Sequence, residues 1–216
     1  MKKLFVFDLD GTLVNSVYDI ADALNTCLSQ LGKPAHPLEE YYRMVGDGMY
    51  MLCRRALPEG TQEEVDRLVA MYSRRYRENC CVRTRPYDGM LQLLKDLQQQ
   101  GVKLAILSNK PHDQTLAVVS TLLPGIEFFC VRGQSDAFPR KPDPAALQAL
   151  MELAAVSAGE TVYIGDSDVD VYFGKNAGVQ TVGVSWGFRG EPELKTAGAD
   201  HIAANPEELK QILSQI

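Results

Sequence analysis

Two acids spaced two apart, Asp8 and Asp10, close a short apolar run and lead into Gly11-Thr12. In a continuing strand their carboxylates would share a face. At a buried strand end they would repel each other and lose hydration unless put to use. An Asp-Gly turn explains the dipeptide alone, but not a second acid directly after Phe5-Val6-Phe7. A further acidic knot, Asp166-Ser167-Asp168-Val169-Asp170, follows Val162-Tyr163-Ile164-Gly165. It begins like an EF-hand loop, which needs Gly at its sixth position and Glu at its twelfth. Val171 and Ala177 stand there instead, which excludes a calcium loop of that kind. Acids at a helix N-terminus are the ordinary alternative, but the position straight after a buried-strand pattern favours a metal site.

Asp8, Asp10, Asp166 and Asp170 together would repel a phosphate dianion. Each like-charge pair at about 4 Å costs about 4 kcal/mol at an effective dielectric near 20. A divalent cation offsets that, and an all-oxygen ligand set suits Mg²⁺, which shares its coordination with substrate phosphate. Lys141, in a Lys-Pro-Asp-Pro run, adds positive charge. The Ser108 hydroxyl and the backbone N–H groups around Asn109 and Lys110 suit phosphate oxygens. Such parts suffice for in-line phosphoryl transfer, which depends on positioning and charge neutralisation. One carboxylate attacks phosphorus to give a mixed anhydride. A neighbouring carboxylic acid protonates the leaving alkoxide and then activates water.

These residues need elements that bring them together. Leu4–Phe7 reads as a strand buried on both faces. Ser16 caps a helix running to about Leu31, where Gly32 and Pro34 stop it. Strand signals then vanish: Pro37–Val45, Met49–Leu57 and Thr61–Glu78 read as amphipathic helices, and Val82–Asp88 as a return linker. Alternation follows. Helices are expected over Gly89–Gln100, Asp113–Leu122, Pro144–Ala155, Val169–Ala177 and Pro206–Ser214, and strands over Lys103–Leu107, Phe128–Arg132, Thr161–Ile164 and Thr181–Val184. This pattern predicts an α/β fold, a doubly wound, Rossmann-like parallel sheet. The helical stretch is an inserted small α-helical cap domain over residues 16–82, with the core formed by residues 1–15 and 83–216. Such sheets bind ligands beyond the carboxyl ends of their strands, where all four polar clusters fall.

The 216 residues suit a core with a smaller insert. A net charge of −6, with no basic stripe, argues against nucleic acid as the main partner. Five cysteines without a Cys-x-x-Cys spacing read as reduced thiols. The N-terminal apolar run ends too early for a signal peptide, and no stretch approaches a membrane span. The expectation is a cytoplasmic protein, monomer or homodimer, whose partner is a small phosphorylated metabolite and neither nucleic acid nor membrane.

The motifs Asp8-Leu9-Asp10-Gly11-Thr12, Ser108-Asn109, Lys141-Pro142 and Gly165-Asp166-Ser167-Asp168-Val169-Asp170 resemble, in order and spacing, those of the haloacid dehalogenase superfamily. The resemblance covers essentially the whole chain. It implies Asp8 as nucleophile and Asp10 as general acid and base. It implies Mg²⁺ held by the Asp8 and Asp166 carboxylates and the Asp10 backbone carbonyl, with Asp170 in the outer shell. Thr12, Ser108, Asn109 and Lys141 would grip the phosphoryl group, and the helical insert would close over the substrate. Within the superfamily the chain is most similar to phosphoglycolate phosphatases, in Lys175-Asn176-Ala177-Gly178, Gly183-Val184-Ser185-Trp186-Gly187 and the insert's Gly46-Asp47-Gly48. That similarity implies a phosphatase. In the insert, Gly46, Gly48, Arg54 and Arg55 are candidate substrate contacts, with Arg54 or Arg55 placed to meet a substrate carboxylate. β-Phosphoglucomutases share the motifs and remain an alternative, as do other small-metabolite or nucleotide phosphatases and pyrophosphatases. True dehalogenases lack an acid at the place of Asp10. A phospho-receiver module shares the acidic cluster, hydroxyl and lysine, but usually lacks a helical insert after the first strand.

Overall fold

The computed structural model describes residues 2–216. Its strands are β1 (Leu4–Phe7), β2 (Val14–Asn15), β3 (Arg85–Pro86), β4 (Lys103–Pro111), β5 (Cys130–Gln134), β6 (Thr161–Gly165), β7 (Gln180–Val184) and β8 (His201–Ala203). Its helices are α1 (Val17–Gln30), α2 (Leu38–Met44), α3 (Met49–Ala56), α4 (Gln62–Asn79), α5 (Met90–Gln99), α6 (His112–Leu122), α7 (Ala145–Ala154), α8 (Asp168–Asn176), α9 (Glu191–Ala197) and α10 (Pro206–Gln215). Six strands form a sheet in the order β5-β4-β1-β6-β7-β8, and every neighbouring pair is parallel.

The sequence of β1 explains its central place. All four residues are buried, and a strand sends alternate side chains to opposite faces. Phe5 and Phe7 join a cluster with Leu93 and Leu97 of α5 and Leu209 of α10. Leu4 and Val6 join a second cluster with Leu147 and Leu150 of α7 and Phe173 of α8. A strand apolar on both faces needs helices on both sides, which is the doubly wound architecture expected.

Helices α1–α4 all lie between β2 and β3. Their apolar residues, such as Leu24, Tyr41 and Leu68, belong to the same cluster as Phe5 and Phe7. Thr61 and Glu64 close a reciprocal capping box that starts α4. The two chain passages to and from these helices run side by side, because β2 and β3 pair antiparallel, Val14 with Pro86 and Asn15 with Arg85. Asp19 of α1, buried, stitches them: its carboxylate accepts from the Thr84 hydroxyl at 2.6 Å and from the N–H groups of Arg83 and Thr84 at 2.9 and 2.8 Å.

The structure departs from the sequence-based elements in several places, the unexpected two-residue β2 and the shift of the expected Phe128–Arg132 strand to Cys130–Gln134 among them. The expected return linker contains β3, a two-residue strand recognisable only through its partner. β8 and α9 were not foreseen; they are three and seven residues long, too short for a periodic pattern to emerge. β4 runs on past Leu107 to Pro111, with its register to β5 broken between those residues. Ser108, Asn109 and Lys110 therefore sit inside an irregular strand end.

Candidate active site

The central strands β4, β1 and β6 carry their polar clusters to one rim, where the strand order reverses direction, the usual ligand position in such sheets. A cavity opens there, with room for only a few water centres (≈ 50 Å³). It is lined by Asp8, Asp10, Ser108, Asn109, Lys141 and Asp166 from the sheet side, and by Gly46 and Gly48 from the insert.

Local backbone fixes each acid. Asp8 N donates to Ile164 O at 2.9 Å, continuing the sheet. The chain then turns sharply: the N–H groups of Leu13 and Val14 both reach Leu9 O, and Gly11 takes φ +84°. A Cβ on Gly11 would overlap the Asp166 carboxylate, so glycine is needed for space as well as for its left-handed backbone. Asp166 accepts from Thr12 Oγ1 at 3.1 Å and from Phe188 N at 2.7 Å. Ser167 caps α8 in a box with Asp170, whose Oδ2 accepts from Ser167 N at 3.1 Å and Ser167 Oγ at 2.7 Å. Asp170 Oδ1 takes Lys141 Nζ at 2.7 Å, and Lys141 Nζ also lies 2.9 Å from Asp8 Oδ1 and 3.0 Å from the Tyr163 hydroxyl.

Carboxylate oxygens of Asp8, Asp166 and Asp170 can all lie within 4.8 Å of one another. Lys141 alone does not balance them. Burial, partly countered by Lys141 and reinforced by Asp170, pushes the Asp8 carboxyl up to about 6. Burial, then Asp170 and Asp8, raises Asp166 well above the carboxylate range. Burial lowers the Lys141 ammonium, yet Asp170 and Asp8 more than offset it and hold it charged. Asp8 Oδ1 faces the lysine but accepts no well-directed hydrogen bond. An excess of buried negative charge with an unsatisfied carboxylate oxygen fits a hard divalent cation. Asp170 is already ion-paired with Lys141 through Oδ1 and held by Ser167 through Oδ2, whereas Asp166 meets only neutral donors, which suits an outer-shell place for Asp170.

Several candidates have other contacts than the sequence suggested. The Thr12 side chain is fully buried and committed to Asp166, outside the cavity lining. Asn109 bridges instead of projecting freely: its amide donates to Gly46 O at 3.1 Å and Lys141 O at 3.3 Å, and accepts from Lys141 N at 2.9 Å. Ser108 lines the cavity, and its hydroxyl accepts from Lys110 N at 3.3 Å. Arg54 and Arg55 do not line it. Arg54 donates to Gly60 O at 2.7 Å. Arg55 pairs with Asp47 and donates to Met44 O at 2.9 Å. Both brace turns of the insert.

Lys110 received no task from the sequence. Its buried ammonium reaches both oxygens of Asp10, at 3.0 and 2.8 Å, and the Tyr76 hydroxyl of α4 at 2.8 Å. Burial is the largest influence and pulls it down, but Asp10 and Tyr72 together more than offset that, so it stays charged. Its place beside Ser108 and Asn109 was the only available signal. Removing one partner of a buried ion pair strands the other. Lys110→Met is expected to lower folding stability by about 3–5 kcal/mol, and Lys110→Met/Asp10→Asn to regain much of it. Urea unfolding of the variants checks this.

Such a rim, with acids from β1 and β6, a lysine between them and a helical insert above, belongs to a recognisable class. Residues 5–184 match the family model of haloacid dehalogenase-like hydrolases, and the chain belongs to that family. It is 39% identical over 194 residues to a phosphoglycolate phosphatase of Pseudomonas syringae pv. tomato, an alignment covering 87% of this chain and 71% of that one. It is 32% identical over 204 residues to phosphoglycolate phosphatase 1 of Pseudomonas aeruginosa, covering 91% and 75%. A crystal structure from Lactobacillus delbrueckii subsp. bulgaricus, described as a "putative phosphoglycolate phosphatase", superposes with a TM-score of 0.93 at 32% identity over 99% of both chains. No helix among the described residues is long and apolar enough to cross a membrane.

Proposed function

We propose that this hydrolase is a Mg²⁺-dependent phosphatase that cleaves a small phosphate monoester through an aspartyl-phosphate on Asp8, with phosphoglycolate as the favoured substrate. The observation that carries the reading is Asp8 itself: a buried carboxylate at the cavity floor, facing Lys141 and beside Asp166. The names of the relatives support the choice of substrate.

In this reading the Asp8 carboxylate attacks phosphorus in line, and the ester P–O bond breaks as the P–O bond to Asp8 forms. Lys141 and the Ser108 hydroxyl hold phosphoryl oxygens, and Asn109 holds Lys141 in place through the Lys141 backbone. Asp10 donates a proton to the leaving alkoxide. Asp10 then accepts a proton from the water that attacks the aspartyl-phosphate, which releases inorganic phosphate. The Asp8 and Asp166 carboxylates and the Asp10 carbonyl would hold Mg²⁺, with Asp170 behind them. When bound, the ion neutralises phosphoryl charge and lets the dianion approach the acids. Helices α1–α4 act as the cap that shields the anhydride from bulk water.

Phosphate release measured over phosphoglycolate, hexose phosphates, nucleotides and pyrophosphate tests the proposal. Sustained release with Mg²⁺ is expected, falling about 1,000-fold with a chelator and returning when Mg²⁺ is restored. Silence towards every monoester, or a rate indifferent to chelation, would refute it.

A further inference from the structure

Three cationic side chains line the cavity: Lys110, Lys141 and Arg189. Both lysines contact site acids at hydrogen-bond distance. Arg189 does not. It enters from the loop after β7, its side chain only 14% exposed, and its Nη2 donates to Val45 O at 2.9 Å. Its neighbouring carboxylate, Glu193, lies 3.8 Å from Nε, beyond hydrogen-bond reach. That same Glu193 oxygen accepts from Asp168 N at 3.3 Å. A guanidinium has five N–H donors in a planar fork, so most of this one's capacity is unspent.

A second, independent observation comes from the same cavity. Gln114 of α6 is 2% exposed and its Nε2 has no hydrogen-bond partner. A buried amide without a partner is costly, and natural structures keep few of them. A ligand entering the cavity would remove that cost. The lining also includes the apolar side chains of Ile20, Met49, Leu52, Tyr72 and Phe188.

We propose that Arg189 and Gln114 form a recognition site for a carboxylate on the leaving group, so that the preferred substrate class is short phosphorylated carboxylic acids. The inference rests on the phosphatase reading of the same cavity and adds what selects the substrate. An arginine fork matches a carboxylate in charge and geometry. A sugar phosphate would instead bring several hydroxyls against apolar side chains and leave them unpaired, which is strongly disfavoured. Selection on this account lies in the sheet domain's own segments, not in Arg54 or Arg55 of the insert.

2-Phosphoglycolate and ethyl phosphate differ in having a carboxylate or a methyl group beside the same CH₂, so their kcat/KM ratio reads this site. Wild type is expected to favour phosphoglycolate strongly. Arg189→Met should collapse that preference about 100-fold, chiefly through KM, and the near-isosteric Gln114→Met about 10-fold. Arg189→Lys should restore part of it, which guards against a loss that merely reflects a displaced Val45 loop. Equal losses on both esters would overturn the proposal. Calorimetric titration of both esters into Mg²⁺-loaded Asp8→Asn protein, with and without Arg189→Met, reads binding without turnover. Selective binding through Arg189 in a protein whose wild type hydrolyses neither ester would retire the phosphatase reading and keep the carboxylate site. Hydrolysis of both esters with no preference would retire the carboxylate site alone, and neither binding nor turnover would retire both.

Discussion

Asp8→Asn is expected to abolish phosphate release, with kcat falling at least about 10⁴-fold, while the folded protein becomes more stable. The two effects have one origin. The amide has no charge to attack phosphorus with, and it no longer places a carboxylate against Asp166 and Asp170. Because burial lifts the Asp8 carboxyl from 3.8 to about 6, the native state binds that proton more tightly than the unfolded chain does. Between those values, stability from this group falls as pH rises, and the full cost stands above about pH 6. Two pKa units correspond to about 3 kcal/mol. Metal-free Asp8→Asn should therefore melt above metal-free wild type at neutral pH, with the gap closing as pH falls towards 4. Steady-state phosphate release and melting curves across that range check both halves. A dead variant that is also less stable at neutral pH would mean that Asp8 serves the fold and not the chemistry.

Asp10→Asn is expected to split the reaction. An ester with a good leaving group, such as p-nitrophenyl phosphate, needs little protonation, so the first step survives. Hydrolysis of the aspartyl-phosphate needs a base and should slow about 1,000-fold. The signature is a burst of one p-nitrophenolate per protein followed by a nearly flat trace, with phosphate retained on the acid-quenched chain. Steady turnover at the wild-type rate would remove Asp10 from its role. The variant also leaves the Lys110 ammonium without its carboxylate, so its stability should be measured beside its kinetics; a burst of full amplitude shows that the loss is chemical.

The sheet and the convergence of acids at its rim were largely legible in the chain because local signals agreed. Leu4–Phe7 is apolar on both faces and ends in acids, and Val162–Gly165 repeats the pattern before Asp166. Such runs report both a buried strand and its functional end. Residues whose meaning depends on distant partners were not legible. Lys110 gains its contacts from Asp10, 100 positions earlier, and Arg189 its setting from a cavity lined by stretches far apart in the chain. Thr12 and Asn109 were noticed, but their side chains settle on Asp166, Gly46 and Lys141, a choice fixed only by packing. Arg54 and Arg55 show the converse: arginines on a short helix satisfy nearby carbonyls before they reach a ligand.

The pairing of Val14-Asn15 with Arg85-Pro86 makes the departure and return of the chain a single doorway. A chimaera carrying another bundle whose ends are equally close would leave the strand order untouched, but would have to resupply the Tyr76 hydroxyl to Lys110 and the Gly46 carbonyl to Asn109. A new roof would then change how the floor is shielded from water, while the groups that choose the leaving group stay in the floor.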